Sequence, residues 1–129
     1  MTKLNLRIDW SDLDLFGHVN NVAFFKYIQA ARVNYCESIG LTSLNEQDKW
    51  SFIVASTTCK FKKSLEFPGN IEIKSEVEWI KNSSFQLNHI IYNHKGEIAA
   101  EASDVLLVYD YEFKIKVTIS EEMRLKMVF

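Results

Sequence analysis

The chain of 129 residues is poor in the residues that build linkers, staples and metal cages. One proline and four glycines leave no room for a flexible linker. Its two cysteines, Cys36 and Cys59, stand far apart with no C-x-x-C spacing. That excludes a disulfide framework and a zinc ribbon and leaves two buried thiols as the plain reading. No excess of one charge exists either: 15 Lys and Arg face 17 Asp and Glu, for a net charge of -2. The basic residues are scattered, which argues against nucleic acid as a partner, since phosphates demand clustered Lys and Arg. No apolar run approaches the ~20 residues of a membrane span. The segment Met1–Arg7 lacks the continuous apolar stretch of a signal peptide, so the expected location is the cytoplasm. There is no G-x-S-x-G elbow for Ser–His–Asp chemistry and no glycine-rich phosphate loop. His89 and His94 have no Cys or Asp at ligand spacing, so no metal site is expected.

What is present is a globular composition. Hydrophobic residues make up 47%, charged residues 25% and aromatics 13%, enough for one core, and a single domain over residues 1–129 is the natural division. Leu4, Leu6, Ile8 and Trp10 alternate with polar residues, which predicts a half-buried strand. Residues 11–21 form a polar, turn-rich connection. From Val22 to Ile39 the period changes: Phe24, Phe25, Ile28, Ala31, Tyr35 and Ile39 recur at helical steps, with Lys26, Gln29 and Arg32 as a narrow polar stripe. Asn20 or Asn21 caps the start and Gly40 ends it. Apolar on most of its circumference, this helix is expected to be largely enclosed.

After about Trp50 the pattern is strand. Residues 51–65 are rich in β-branched and aromatic types, Phe67-Pro68-Gly69-Asn70 is a turn, and Ile71, Ile73, Val77 and Trp79 alternate with charges. Lys81-Asn82-Ser83 turns the chain into Phe85, Leu87, His89 and Ile91, and His94-Lys95-Gly96 is a hairpin loop. Glu97–Val117 reads as a long last strand bent near Ser103-Asp104. Ser120-Glu121-Glu122 opens a short terminal helix. Short turns between successive strands predict an antiparallel sheet. The fold class is therefore α+β, a curved antiparallel sheet wrapped around one long central helix. Apolar surface left over is most simply covered by a second copy, which predicts a homodimer.

Chemistry concentrates just before the long helix. Asp12-Leu13-Asp14-Leu15-Phe16-Gly17-His18-Val19-Asn20-Asn21 places two carboxylates, a glycine, a histidine and two asparagines at a strand-to-helix junction. A helix N-terminus presents free N–H groups and a positive dipole end, suited to a polarised carbonyl. A carboxylate beside it can act as base or nucleophile. The same residue types also cap turns and helices, and spacing alone leaves both readings open.

This block, followed by Phe25, Tyr27, Ala31 and Arg32, resembles the hotdog-fold acyl-CoA thioesterases of the 4-hydroxybenzoyl-CoA thioesterase type. Their signature runs D-x-D-x-x-G-H-V-N-N, then a helix with aromatics and an A-R pair. The resemblance extends over nearly the whole chain, with weaker matches at Phe67-Pro68-Gly69-Asn70 and Ser83-Ser84-Phe85. It departs at Asn70, where many relatives carry aspartate, and at Thr118-Ile119, where a proline is usual.

The resemblance implies the hotdog fold and a catalytic carboxylate at Asp14, with Asp12 supporting it. It implies that the backbone N–H at about Asn21 polarises the thioester carbonyl and that Gly17 lets the chain approach the ligand. His18 either acts directly or makes a structural hydrogen bond. Asp12, Asn20, Phe25, Lys60, Lys62 and Ser83 are the candidate substrate-binding residues. Phe24, Phe25 and Ile28 are the expected pocket lining. Lys60, Lys62 and Lys63 either meet the phosphates of coenzyme A or form a charged strand edge that resists aggregation. The implied activity is hydrolysis of an acyl-CoA thioester to free acid and CoA without a metal or organic cofactor, in a homodimer or homotetramer. Two other readings remain: a thioesterase acting on an acyl group held by a carrier protein, and a non-catalytic module that binds acyl groups.

Overall fold

A computed structural model describes residues 1–42 and 49–128. Strand β1 (Thr2–Arg7) alternates half-buried and exposed residues, as a strand with one covered face must. It is shorter than the alternation predicts. The chain leaves it at Ile8, and Trp10 opens a single 3-10 turn, Trp10–Asp12, with its indole 73% exposed. Helix α1 (Asn21–Ser38) is 18 residues long. The Asn20 side chain accepts from the Ala23 N–H at 2.8 Å, so the expected cap is in place. Gly40, at φ +75°, takes the left-handed conformation that ends the helix.

Four long strands follow: β2 (Trp50–Phe61), β3 (Asn70–Ile80), β4 (Ser84–Tyr92) and β5 (Ile98–Asp110). A short β6 (Ile115–Lys116) pairs with the end of β5, and α2 (Glu121–Val128) closes the described chain. Ser120 caps α2 through its hydroxyl, which accepts from the Met123 N–H at 3.2 Å. Sheet order is β1-β3-β4-β5-β2, antiparallel throughout.

Two expectations change here. Strands β2 and β3 are consecutive but not neighbours, because β2 crosses to pair with β5 at the far edge, Ser51 opposite Tyr109 and Phe61 opposite Ala100. Strand β5 keeps its pairing through Ser103 and Asp104, and the chain turns later, at Tyr111–Lys114. The irregularity lies across the ladder, in β2 between Val54 and Ser56.

Helix α1 lies on one face of the sheet. Ala23, Phe24, Tyr27, Ile28, Ala31, Tyr35 and Cys36 are buried, while Val22, Lys26, Gln29 and Glu37 are exposed and Phe25 and Val33 are half-buried. The helix is thus covered along one side rather than enclosed all round, and α2 is a second helical element. The apolar core falls into two clusters. One joins Ile8, Val19, Phe24 and Ile28 to Ile71, Ile73 and Ile91. The other joins Tyr35, Cys36 and Ile39 to Phe85, Leu87, Leu106 and Met127. The loop before α1 belongs to the first. Buried in the second, the Cys36 thiol has a pKa pushed up to about 12 by desolvation, which makes it inert.

Candidate active site

The loop between β1 and α1 is built from hydrogen bonds of its own. Leu13 and Val19 bridge antiparallel, and the Asp14 N–H donates to the His18 carbonyl at 2.7 Å. Asp14 then turns its side chain back: Oδ1 accepts from the Phe16 N–H at 2.9 Å and the His18 N–H at 3.2 Å. The carboxylate is exposed, and Oδ2 has no hydrogen bond among the described residues. Gly17 stands at φ +82°, and a Cβ there would meet nothing within 4 Å. Its glycine is therefore required by backbone conformation in this turn and not by crowding.

Asp12 faces the other way. It is 5% exposed, its Oδ1 pairs with the Lys26 ammonium, and its Oδ2 accepts from the Tyr27 hydroxyl at 2.7 Å and the Asp9 N–H at 3.2 Å. Burial pushes its pKa up, but these hydrogen bonds outweigh burial and hold it below the ordinary value. The Tyr27 hydroxyl is driven the other way by burial and by the carboxylate beside it. Both Asp12 oxygens are engaged within the chain, so Asp12 ties the loop to α1. Its carbonyl also accepts from the Asn20 N–H at 2.9 Å.

The first helical N–H groups lack partners inside any helix. Asn20 satisfies that of Ala23, leaving those of Asn21 and Val22 without a partner among the described residues. They open beside a cleft of about 360 Å³ lined by His18, Val19, Asn21, Phe24, Phe61, Lys62, Lys63 and Ser64. The rings of Phe24 and Phe61 meet edge to face at 5.1 Å. The His18 ring stands 3.8 Å from the Glu66 carboxylate, both side chains being well exposed. Lys63 is paired with Glu97.

The structure thus brings Asp14, Gly17, His18, Asn20, Asn21 and Lys62 to one end of α1, with Phe25 half-buried against the first core cluster. It does not bring Lys60 or Ser83 there. Lys60 lines a larger hollow, about 470 Å³, with Lys74, Asn88 and Glu101 on the far face of the sheet. Alternation along β2 decides this: Cys59 points to the core, so Lys60 points away. Ser83 is buried in the β3–β4 turn, where its carbonyl accepts from the Val108 N–H at the end of the sheet held by the second cluster.

A sequence profile of the thioesterase-like superfamily matches residues 8–127. The chain belongs to that superfamily. Among curated relatives it is similar to the uncharacterised protein YsmA of Bacillus subtilis, 29% identical over 90 residues that cover 70% of this chain and 60% of YsmA. It is also similar to the chloroplastic acyl-acyl carrier protein thioesterase ATL3 of Arabidopsis thaliana, 24% identical over 128 residues covering 98% of this chain and 67% of that protein. The chain thus spans well under the full length of these relatives. Among solved structures it superimposes on the BH1999 gentisyl-coenzyme A thioesterase with a TM-score of 0.85, at 22% identity, covering 98% of this chain and 99% of that one. Among the described residues no helix of this superfamily member is long and apolar enough to cross a membrane.

Sequence reading missed two groups in this thioesterase-like chain. Phe61 joins the cleft because β2 ends beside Phe24, a pairing that only the tertiary fold reveals. The second group is buried: Arg32, read above as part of a polar stripe, reaches Asp104 on β5, which meets His89 on β4, which meets Ser75 on β3. Parity carried the signal. Asp104 shares the inward face of Ala102, Leu106 and Val108, His89 that of Leu87 and Ile91, and Ser75 that of Ile71 and Ile73. A polar residue in each inward row demands a partner.

Proposed function

We propose that the protein hydrolyses an acyl-CoA thioester, with Asp14 as general base or nucleophile and the helix N-terminus at Asn21 holding the carbonyl oxygen. The observation that carries this reading is the posture of Asp14. One carboxylate oxygen is fixed by two backbone amides, one from His18, a residue of the cleft wall, while the other has no hydrogen bond among the described residues. A carboxylate held in this way can take a proton from water, or attack the acyl carbon itself, without reorganising its loop. As charge develops on the carbonyl oxygen, the amides of Asn21 and Val22 and the positive end of α1 lower its energy. Phe24 and Phe61 suit an apolar acyl group, and Lys62 suits a phosphate of the CoA arm. Asp12 serves as a strut and Asn20 as a cap. The resemblance to the 4-hydroxybenzoyl-CoA type and the fold shared with a gentisyl-coenzyme A thioesterase support aromatic acyl groups as first candidates.

The working unit in this proposal is a homodimer. Leu15 and Phe16, at the tip of the site loop, are 93% and 82% exposed, and β2, 12 residues long, leaves one edge of the sheet unpaired among the described residues. Two such uncovered features beside one cleft favour cover by a second copy. A second reading, an acyl-carrier-protein thioesterase, is favoured by the similarity to ATL3.

The test is a panel of aliphatic and aromatic acyl groups presented on free CoA and on a carrier protein, run with the parent and Asp14→Asn. Asparagine keeps Oδ1 as acceptor for Phe16 and His18, so melting should stay near parental. The rate kcat should fall by about 10²–10⁴, the usual contribution of a general base. A parental rate in Asp14→Asn moves catalysis elsewhere, and a parent inactive on the whole panel favours a binding module.

A further inference from the structure

Apolar packing holds helices to sheets without fixing their exact placement, because it is non-directional. In this chain Arg32 makes the buried directional link from α1 to the sheet, and on the exposed side Asn34 Nδ2 adds a longer bond, 3.4 Å, to the Lys3 carbonyl of β1. The Arg32 guanidinium straddles the Asp104 carboxylate, Nε donating to Oδ2 at 3.0 Å and the terminal nitrogen to Oδ1 at 3.1 Å. Asp104 is held from below, where His89 Nε2 meets Oδ2 at 2.8 Å. Because a carboxylate only accepts, Nε2 carries the hydrogen. His89 Nδ1 meets Ser75 Oγ at 2.7 Å. Ser75, His89 and Asp104 are 1%, 0% and 0% exposed, and the row connects β3, β4 and β5 to the middle of α1. It lies between the two apolar clusters, which contain none of its members.

The site hangs from this link. Arg32 is 11 residues from Asn21, about 16 Å along a rigid helix. On the intervening turns Lys26 and Tyr27 grip Asp12 and with it the loop of Asp14. Helix N-terminus and loop therefore move with α1. Among the described residues the other bonds from the loop go to the neighbouring connection: Ile8 N–H to the Gly69 carbonyl, Val19 N–H to the Leu65 carbonyl and the His18–Glu66 bridge.

Resting on the thioesterase reading above, we infer that Arg32 and Asp104 are positioning residues, a bidentate clamp that sets the axial and rotational placement of α1 and so aims the Asn21 amide and the Asp14 loop at one point. A planar fork on a carboxylate fixes angle as well as distance, which a lysine in its place does not.

Arg32→Lys tests it, since the buried carboxylate keeps a cation and loses the second bond. The expected result is kcat down about tenfold to a hundredfold, the scale set by a misplacement near 1 Å, with KM within about twofold. The backbone amide resonances of Asn21 and Val22 should shift although the variant still melts cooperatively. Asp104→Glu keeps both charges and lengthens the arm, and it carries the same expectation if Arg32→Lys does not fold. A parental kcat in either folded variant, or a lowered kcat with the Asn21 and Val22 resonances unmoved, overturns the clamp. A parent that hydrolyses no thioester overturns the activity alone, because the amide shifts still decide whether the clamp sets the helix terminus.

Discussion

Asp12 and Asp14 are separated by one residue and do opposite work. Asp12 ends the 3-10 turn and faces inward, onto Lys26 and Tyr27, while Asp14, past the extended Leu13, faces outward, onto its own loop amides. The difference gives each a separate signature. Asp12 is held below its ordinary pKa of 3.8, so its contribution to stability is complete above about pH 4 and is lost as pH falls through the lower folded value. Thermal melts of the parent and Asp12→Asn from about pH 2 to 7 should show a lower Tm for the variant at neutral pH and a shallower fall below pH 4. Asp104, also depressed because its bonds to His89 and Arg32 outweigh burial, contributes to the acid dependence that remains. Parallel acid limbs in the two proteins would falsify the strut role. The D-x-D spacing was legible in the sequence as a place of interest. The division of labour was not, because the same residue serves as cap, strut or base and only the tertiary partner decides. Lys60 shows the converse: its place on the far face of the sheet follows from a parity that was readable from Cys59 next to it.

At the scale of elements, α1 was the most legible part of the chain, since its period, its Asn20 cap and its Gly40 terminus are all local signals. Less legible was which side faces the sheet, because apolar residues occupy most of the circumference and the deciding polar contact, Arg32 to Asp104, spans 72 positions. Ala31 tests the orientation. It is 1% exposed, on the side that meets the sheet. Ala31→Asp places an unpaired carboxylate there, at a cost of several kcal/mol, on the order of the whole stability of a small domain. The expected outcome is loss of the cooperative melt, while Gln29→Asp, on the exposed side, should melt within a few degrees of the parent. Equal melts for the two variants would mean that the helix packs on its other side. The strands were legible as strands because each alternates. Their order was not, since a strand's pattern carries no address for its partner, and proximity in sequence wrongly suggested β2 beside β3.

For the whole molecule, the open edge of β2 and the apolar loop tip make the strongest statement about assembly. Sedimentation at micromolar concentration should give a species of at least twice the 15.0 kDa chain mass, and a purely monomeric, fully active protein would remove the dimer from the proposal. The placement of β2 has a consequence in time as well as in space. Both rim strands come before their partners in the chain: among the described residues β1 pairs only with β3, Leu4 opposite Ile73, and β2 only with β5, Trp50 opposite Asp110. During synthesis from the N-terminus, α1 and a 12-residue strand leave the ribosome before the surfaces that cover them exist. The local hairpins β3–β4 and β4–β5 are expected to close before the non-local pairs β1–β3 and β2–β5. A nascent chain stalled at Gly96, before β5, should therefore be cut readily by protease within Trp50–Phe61, whose partner strand is still missing, and completion of the last long strand makes that segment secure.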